Sequence, residues 1–271
     1  MAKITLEQRN RYAAKVKEYK AVIDATVSKE QSFLSLLKQP GGQGAGYVRI
    51  KLAEETLSLT SYFILINTLS VALMGIKNED SLADARKALV RSIKYLEDIV
   101  TGLVDAPFSE YESYLADISE VSYEDRFALL RKIGFAISEI EEGYGTNSKW
   151  KWSFVETWGK FAVVAKNMLD LKRAYQDLDM TSPNRLIAHS YLNTVKHLFQ
   201  TTADRYREKY EVFTSKMEDF KQAILFLTAL RRIHTIFGER SEADELKKKI
   251  EIWSAKLEAD QKRREEENRK R

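Results

Sequence analysis

From Asn184 to Phe237 the chain runs 54 residues without a glycine or proline, and its apolar residues recur three and four positions apart. Leu192, Val195, Phe199, Ala203, Tyr206, Tyr210, Phe213, Met217, Phe220, Ile224 and Leu227 make the seam. That spacing belongs to an amphipathic helix packed as in a coiled coil. Unbroken, such a helix would span about 80 Å, whereas a compact globule of the whole chain would be about 50 Å across. Either the molecule is elongated or the helix breaks.

The rest of the sequence agrees with a helical protein. Three prolines and eleven glycines in 271 residues are too few to punctuate an all-β chain. The 44% hydrophobic residues suffice for a core, and the 31% charged residues suit amphipathic helices. Punctuation predicts helices from Thr5 to Gln39, stopping at Pro40; from Tyr47 to Lys77; and from Ser81 to just before Pro107. After a brief segment from Phe108 to Ile118, others should run from the Ser122 cap to Gly143 and from Asn147 to Asp179. Pro183 then opens the long run, and a last helix occupies Glu242 to about Arg269. The expected fold is all-α, an elongated antiparallel bundle of about seven long helices with coiled-coil-like seams. Residues 1–240 would form the bundle around one core, and 241–271 a mobile, charged C-terminal helical tail.

Leu57 to Ile76 carries no charge over twenty residues, about the length that spans a bilayer. Ser58, Thr60, Ser61, Asn67, Thr68 and Ser70 interrupt its apolar character, no tryptophan anchors either end, and the flanks show no one-sided positive excess. The composition favours a core helix enclosed by others, with Asn67 bonded to a carbonyl or hydroxyl on a neighbour. Charges throughout Met1 to Lys20 leave no room for the apolar stretch of a signal peptide, and a cytoplasmic location is expected.

Catalytic patterns are sparse. No acid stands three residues before His189, His197 or His234, so the Glu-x-x-His signature of di-metal bundles is missing. With no cysteine there is no thiolate nucleophile or ligand, and no catalytic, cofactor-binding or metal-ligating residue is assigned. The loop from Pro40 to Gly46 is glycine-rich but follows a helix and lacks the Lys-Ser/Thr close of a phosphate loop. Its Gly41-Gly42-Gln43 resembles the catalytic tripeptide of peptide-chain release factors, a resemblance that implies peptidyl-tRNA hydrolysis. Only three residues match, few basic residues adjoin them, and the loop is read as a hinge.

Two segments offer surfaces. Trp150, Phe154, Trp158, Phe161, Ala165 and Met168 form one helical seam, while Trp152 shares a different face with Glu156, Gly159 and Val163. Trp152 therefore either packs on another helix, with Gly159 permitting close approach, or anchors a partner. In the tail, Leu246, Ile250, Trp253 and Leu257 are spaced to dock on a surface, and beyond them basic and acidic residues alternate in clusters. Lys149, Lys151, Lys247, Lys248 and Lys249 could meet an anionic surface, although the net charge is only +4.

The leading expectation is a non-enzymatic, cytoplasmic structural, adaptor or assembly protein whose long helix faces meet a copy of itself or another protein. Trp152, Leu246, Ile250, Trp253 and Leu257 are its candidate contacts. The alternative is nucleic-acid or anionic-lipid binding through the dispersed Lys/Arg clusters; integral membrane insertion is not expected. A third reading is an enzyme whose site only the fold assembles. An exposed apolar stripe, a contiguous basic face, or a pocket of converging titratable groups would favour the three in that order.

Overall fold

Helix ends follow local chemistry in the computed structural model, which describes residues 4–38, 44–145 and 148–269. α1 (Leu6–Leu37) starts at a Thr5 capping box closed by Gln8. α2 (Ala45–Met74) lies between two left-handed glycines, Gly44 and Gly75. Asn78 caps α3 (Glu79–Glu97) through its bond with the Ser81 amide, and Glu79 and Asp80 favour that helix's positive end. α4 (Phe108–Ala116) is short, and Ser122 caps α5 (Tyr123–Tyr144). Then come α6 (Lys151–Asn167), α7 (Leu171–Asp177) capped by Asp170, and α8 (Arg185–Glu208). A π-helical segment (Lys209–Thr214), α9 (Met217–Ile236) and α10 (Arg240–Arg269) complete the order. The fold is all-helical, with no strand among the described residues. Among the described residues there are ten α-helices where about seven long ones are expected, because two of the long spans are divided and the brief segment from Phe108 is itself a short helix.

The 54-residue run is one of the divided spans. It ends as an α-helix at Glu208, widens into the π-helical segment and stops at Ser215, which adopts the left-handed conformation at φ 50°. α9 then packs back against α8. The seam residues meet each other across this hairpin: the rings of Phe199 and Phe226 lie 5.2 Å apart, and Tyr210 stacks on Phe220 at 4.9 Å. The span expected from Asn147 to Asp179 likewise breaks after Asn167, where the Asp170 side chain caps a new helix. The span expected to reach Pro107 stops at Glu97. The loop 39–43, containing the glycine tripeptide, and Asn147 lie outside the described residues.

Two compact units partition the chain: Met1–Thr101 with Glu112–Thr157, and Gly102–Tyr111 with Trp158–Arg271. Their boundary falls within α6, inside the stretch read as one bundle. In the first unit α2 packs on α1, α3 and α5. Ile23, Leu59, Ile66 and Ala88 join these helices, with Tyr19 and Tyr62 against them. Glu30 of α1 is only 4% exposed, yet Arg91 grips it through two nitrogens and the Tyr95 and Thr56 hydroxyls donate to it, so the buried carboxylate is paired. Asn67 finds its partner in a backbone donor: its side-chain oxygen accepts from the Asn78 amide at 2.9 Å, and Asn78 in turn bonds the Tyr12 hydroxyl at 3.0 Å.

The second unit is built on α8, α9 and α10. The segment Gly102–Tyr111 joins it through α6. Lys166 donates to the carbonyls of Val104 and Ala106, and Asn167 donates to that of Leu103. Gly159 sits where a β-carbon would stand 3.2 Å from Tyr206, so the close approach anticipated at this glycine occurs.

Candidate interaction surface

α2 is the helix whose sequence and surroundings agree least. It is long and apolar enough to cross a membrane, yet only a third of its most apolar stretch is buried. The expectation of enclosure on all sides is therefore not met. Its three neighbours leave a stripe along Ser61, Leu65, Thr68, Val71 and Ala72 open to solvent. The inward hydroxyls are satisfied locally: Thr56 donates to the Leu52 carbonyl and Thr60 to that of Thr56, which lets a largely apolar helix carry polar groups into the core.

The open stripe continues into a groove shared with α5. Gly46 near the start of α2 lies against Ile118 just ahead of α5, and Gly143 near the end of α5 lies against Asn67, so the two helices run the same way. Between them is a half-open cavity of about 560 Å³, floored by Leu57, Ser58, Ser61 and Leu65 and walled by Phe135 and Ala136. Phe135 is 66% exposed and Leu65 43%. Glu54, Lys132 and Glu139 supply charges of both signs at the margin. Apolar floor, aromatic wall and mixed-charge rim are the anatomy of a polypeptide-binding surface. Sequence reading missed it because uncharged positions on α2 were all assigned inward; the signal was available in the small residues Ser58 and Ser61 and in Phe135 at an outward register of α5.

The residues singled out from sequence are dispersed. Trp152 is half-buried with the Lys151 ammonium 4.5 Å from its ring centre. Leu246 and Trp253 are buried within the chain, where Trp253 packs on Phe220 of α9 and lies under Arg207 and Lys249. Ile250 and Leu257 are half-buried on the same helix, so the tail seam finds its docking surface on its own unit. Further along α10, Tyr210 donates to Asp260 at 2.7 Å and Arg264 donates to the Ser215 carbonyl, tying the charged end to the hairpin bend. Lys149 and Lys151 are exposed beside tryptophan rings, and Lys247 and Lys248 face solvent. Lys249, by contrast, pairs with Asp204 at 3.1 Å.

Titratable groups converge elsewhere, beside a cavity of about 470 Å³ in the second unit. The Glu239 carboxylate takes Lys196 at 2.5 Å and the His234 ring at 2.6 Å. Burial alone would raise its pKa, but bonds from Lys196 and His234 outweigh that and hold the carboxyl below its ordinary range. Lys196 thus neutralises the acid that would otherwise orient His234 as a base, and no hydroxyl or thiol lines the cavity as a nucleophile. The cluster clamps the α9–α10 turn to α8. Among the described residues no group of three or more His, Asp or Glu is placed to hold a metal ion.

Residues 8–261 match the TP0443 family, and the chain belongs to it. No curated protein matches the chain.

Proposed function

We propose that this member of the TP0443 family is a non-enzymatic, cytoplasmic adaptor or assembly protein that binds another polypeptide along the α2–α5 face. One observation carries the reading: the one helix among the described residues that is long and apolar enough to cross a membrane leaves an apolar stripe open beside a groove, although three neighbouring helices already pack on it. A helix seated there would complete a coiled-coil-like seam, its apolar positions on Leu65 and Phe135 and its charges meeting Glu54, Lys132 and Glu139.

Less supports an anionic partner. Arg207 pairs with Glu211, Lys209 with Asp219 and Arg232 with Asp105, so much of the dispersed positive charge is answered within the chain. The test is recovery of bound protein by the wild-type chain and by two variants. Leu65→Asp places a charge in the groove and should reduce recovery at least tenfold, about 1.4 kcal/mol. Ile252→Asp, on an exposed position of α10, should leave it unchanged. Equal recovery by all three would reject the face.

A further inference from the structure

We infer that Lys77, Arg86 and Lys149 form, around the ring of Trp150, a binding site for the terminal phosphate of a small phosphorylated molecule. The site lies in the first unit and shares no residue with the α2–α5 groove. Arg86, on α3, carries the argument. Its guanidinium carbon lies 4.3 Å from the centre of the Trp150 ring, a cation–π contact that orients the group. Of its nitrogens only Nε is closed off from solvent, and that nitrogen has no hydrogen-bond partner. No carboxylate among the described residues pairs with Arg86, whereas Arg207 has Glu211 and Arg232 has Asp105. Taking an N–H out of water without a partner is costly, and a folded chain keeps few such groups. The stacked guanidinium is thus a preorganised fork whose terminal nitrogens face solvent without an acceptor.

Other donors gather beside it. The Tyr144 hydroxyl is enclosed without a partner, and its ring lies 6.0 Å from that of Trp150. Burial raises its pKa while the Arg86 charge pulls the other way, so the two groups lie within electrostatic reach. Lys149, exposed and without an acid partner among the described residues, holds its ammonium 5.4 Å from the same ring centre. Lys77, in the turn after α2, donates to the Tyr144 carbonyl at 3.2 Å and has further N–H groups to give. Charge then selects the ligand. Glu79 and Asp84 are the acids that act on Tyr144, and Asp84 is already paired with Lys87 at 2.9 Å. Three cations therefore face one unanswered acid, Glu79, which leaves an excess of two positive charges. A terminal phosphate brings nearly two negative charges and three acceptor oxygens, and it suits the fork of an arginine. A carboxylate or a backbone phosphodiester brings only one charge.

The test is equilibrium dialysis of the full chain against radiolabelled inorganic phosphate at constant ionic strength. One phosphate per chain should bind, with a change in tryptophan emission that disappears in Trp150→Phe. Glycerol phosphate should displace the label and dimethyl phosphate, a diester, should not. Arg86→Met should weaken binding at least tenfold, and Arg86→Lys, which keeps the charge and loses the fork, several-fold. Lys149→Gln should also weaken it several-fold, whereas Lys247→Gln on α10 and Leu65→Asp in the groove should leave it unchanged. Circular dichroism checks folding, and if Arg86→Met does not fold, Arg86→Lys and Lys149→Gln decide. No saturable binding up to about 10 mM, or an equal loss in Lys247→Gln, would overturn the site and leave its orphaned donors to ordered water. Failure of glycerol phosphate to compete would overturn the phosphorylated molecule. Tighter capture of a single-stranded oligonucleotide, lost in Arg86→Met, would give the site to a nucleic-acid backbone and overturn the small ligand.

Discussion

Glu239 condenses much of the second unit's local logic into one carboxylate. It receives Lys196 from α8 and His234 from α9 at the point where the chain turns into α10. A carboxyl held below its ordinary value in the folded state binds its proton more weakly than the unfolded chain does. Its contribution is complete above the unfolded value of about 4.5 and is lost as pH falls through the folded one. Thermal unfolding followed below about pH 5 should therefore show a steeper loss for the wild type than for Glu239→Gln. Parallel curves would remove this clamp from the account. At this scale the sequence was legible where a residue's chemistry is local. Thr5 and Ser122 cap helices as their positions predict, and Gly159 allows the approach expected of it. Glu239 was not legible, since its partners lie 43 and five residues away and nothing in their spacing announces a cluster.

At the level of elements, starts were easier to read than breaks. The starts of α1, α3, α5 and α7 carry side-chain caps, whereas the break at Ser215 has neither glycine nor proline. The seam that suggested one long helix remains largely buried after the fold-back: Tyr206, Tyr210, Phe220 and Leu227 still turn inward, now toward facing partners. An apolar repeat cannot tell a partner from elsewhere from its own other half. Only Phe213, 63% exposed at the bend, drops out of the pattern. The left-handed serine is strained, so Ser215→Gly should raise stability by about 0.5–1 kcal/mol in urea unfolding, the relief of the β-carbon clash exceeding the added freedom of the unfolded chain. Ser215→Val should lower it. Destabilisation by glycine would mean that the hydroxyl, and not the backbone angle, secures the turn.

For the molecule as a whole, the decisive features are long-range. The family match covers both units, and neither unit is a single continuous stretch of chain. Composition and periodicity established the all-helical class, but they could not show that residues 102–111 belong with a core assembled much later in the sequence. That allegiance depends on Lys166, whose burial lowers its pKa to about 8 despite the opposing pull of Asp105. The unfolded chain keeps this proton up to about 10.5, so the folded state gains as pH rises from about 8 toward that value. Tyr95 and Tyr111, raised by burial, begin to oppose the gain near pH 10. Stability measured between about pH 8 and 9.5 should climb in the wild type and lose that slope in Lys166→Met. An unchanged slope would mean that Lys166 keeps its proton throughout.

The split ancestry of the second unit has a consequence for how the protein is made. Everything the first unit contains has been synthesised once Thr157 leaves the ribosome, so it can close early. The segment Gly102–Tyr111 cannot, because the helices it joins continue to Arg269. At cellular elongation rates of about 5–20 residues per second it must wait about 8 to 30 s while the chain from Tyr111 to Arg269 emerges. During that interval Val104, Ala106 and Tyr111 have no core to enter. A short span near the middle of the message is thus open, during synthesis, to premature pairing, proteolysis or capture by a chaperone.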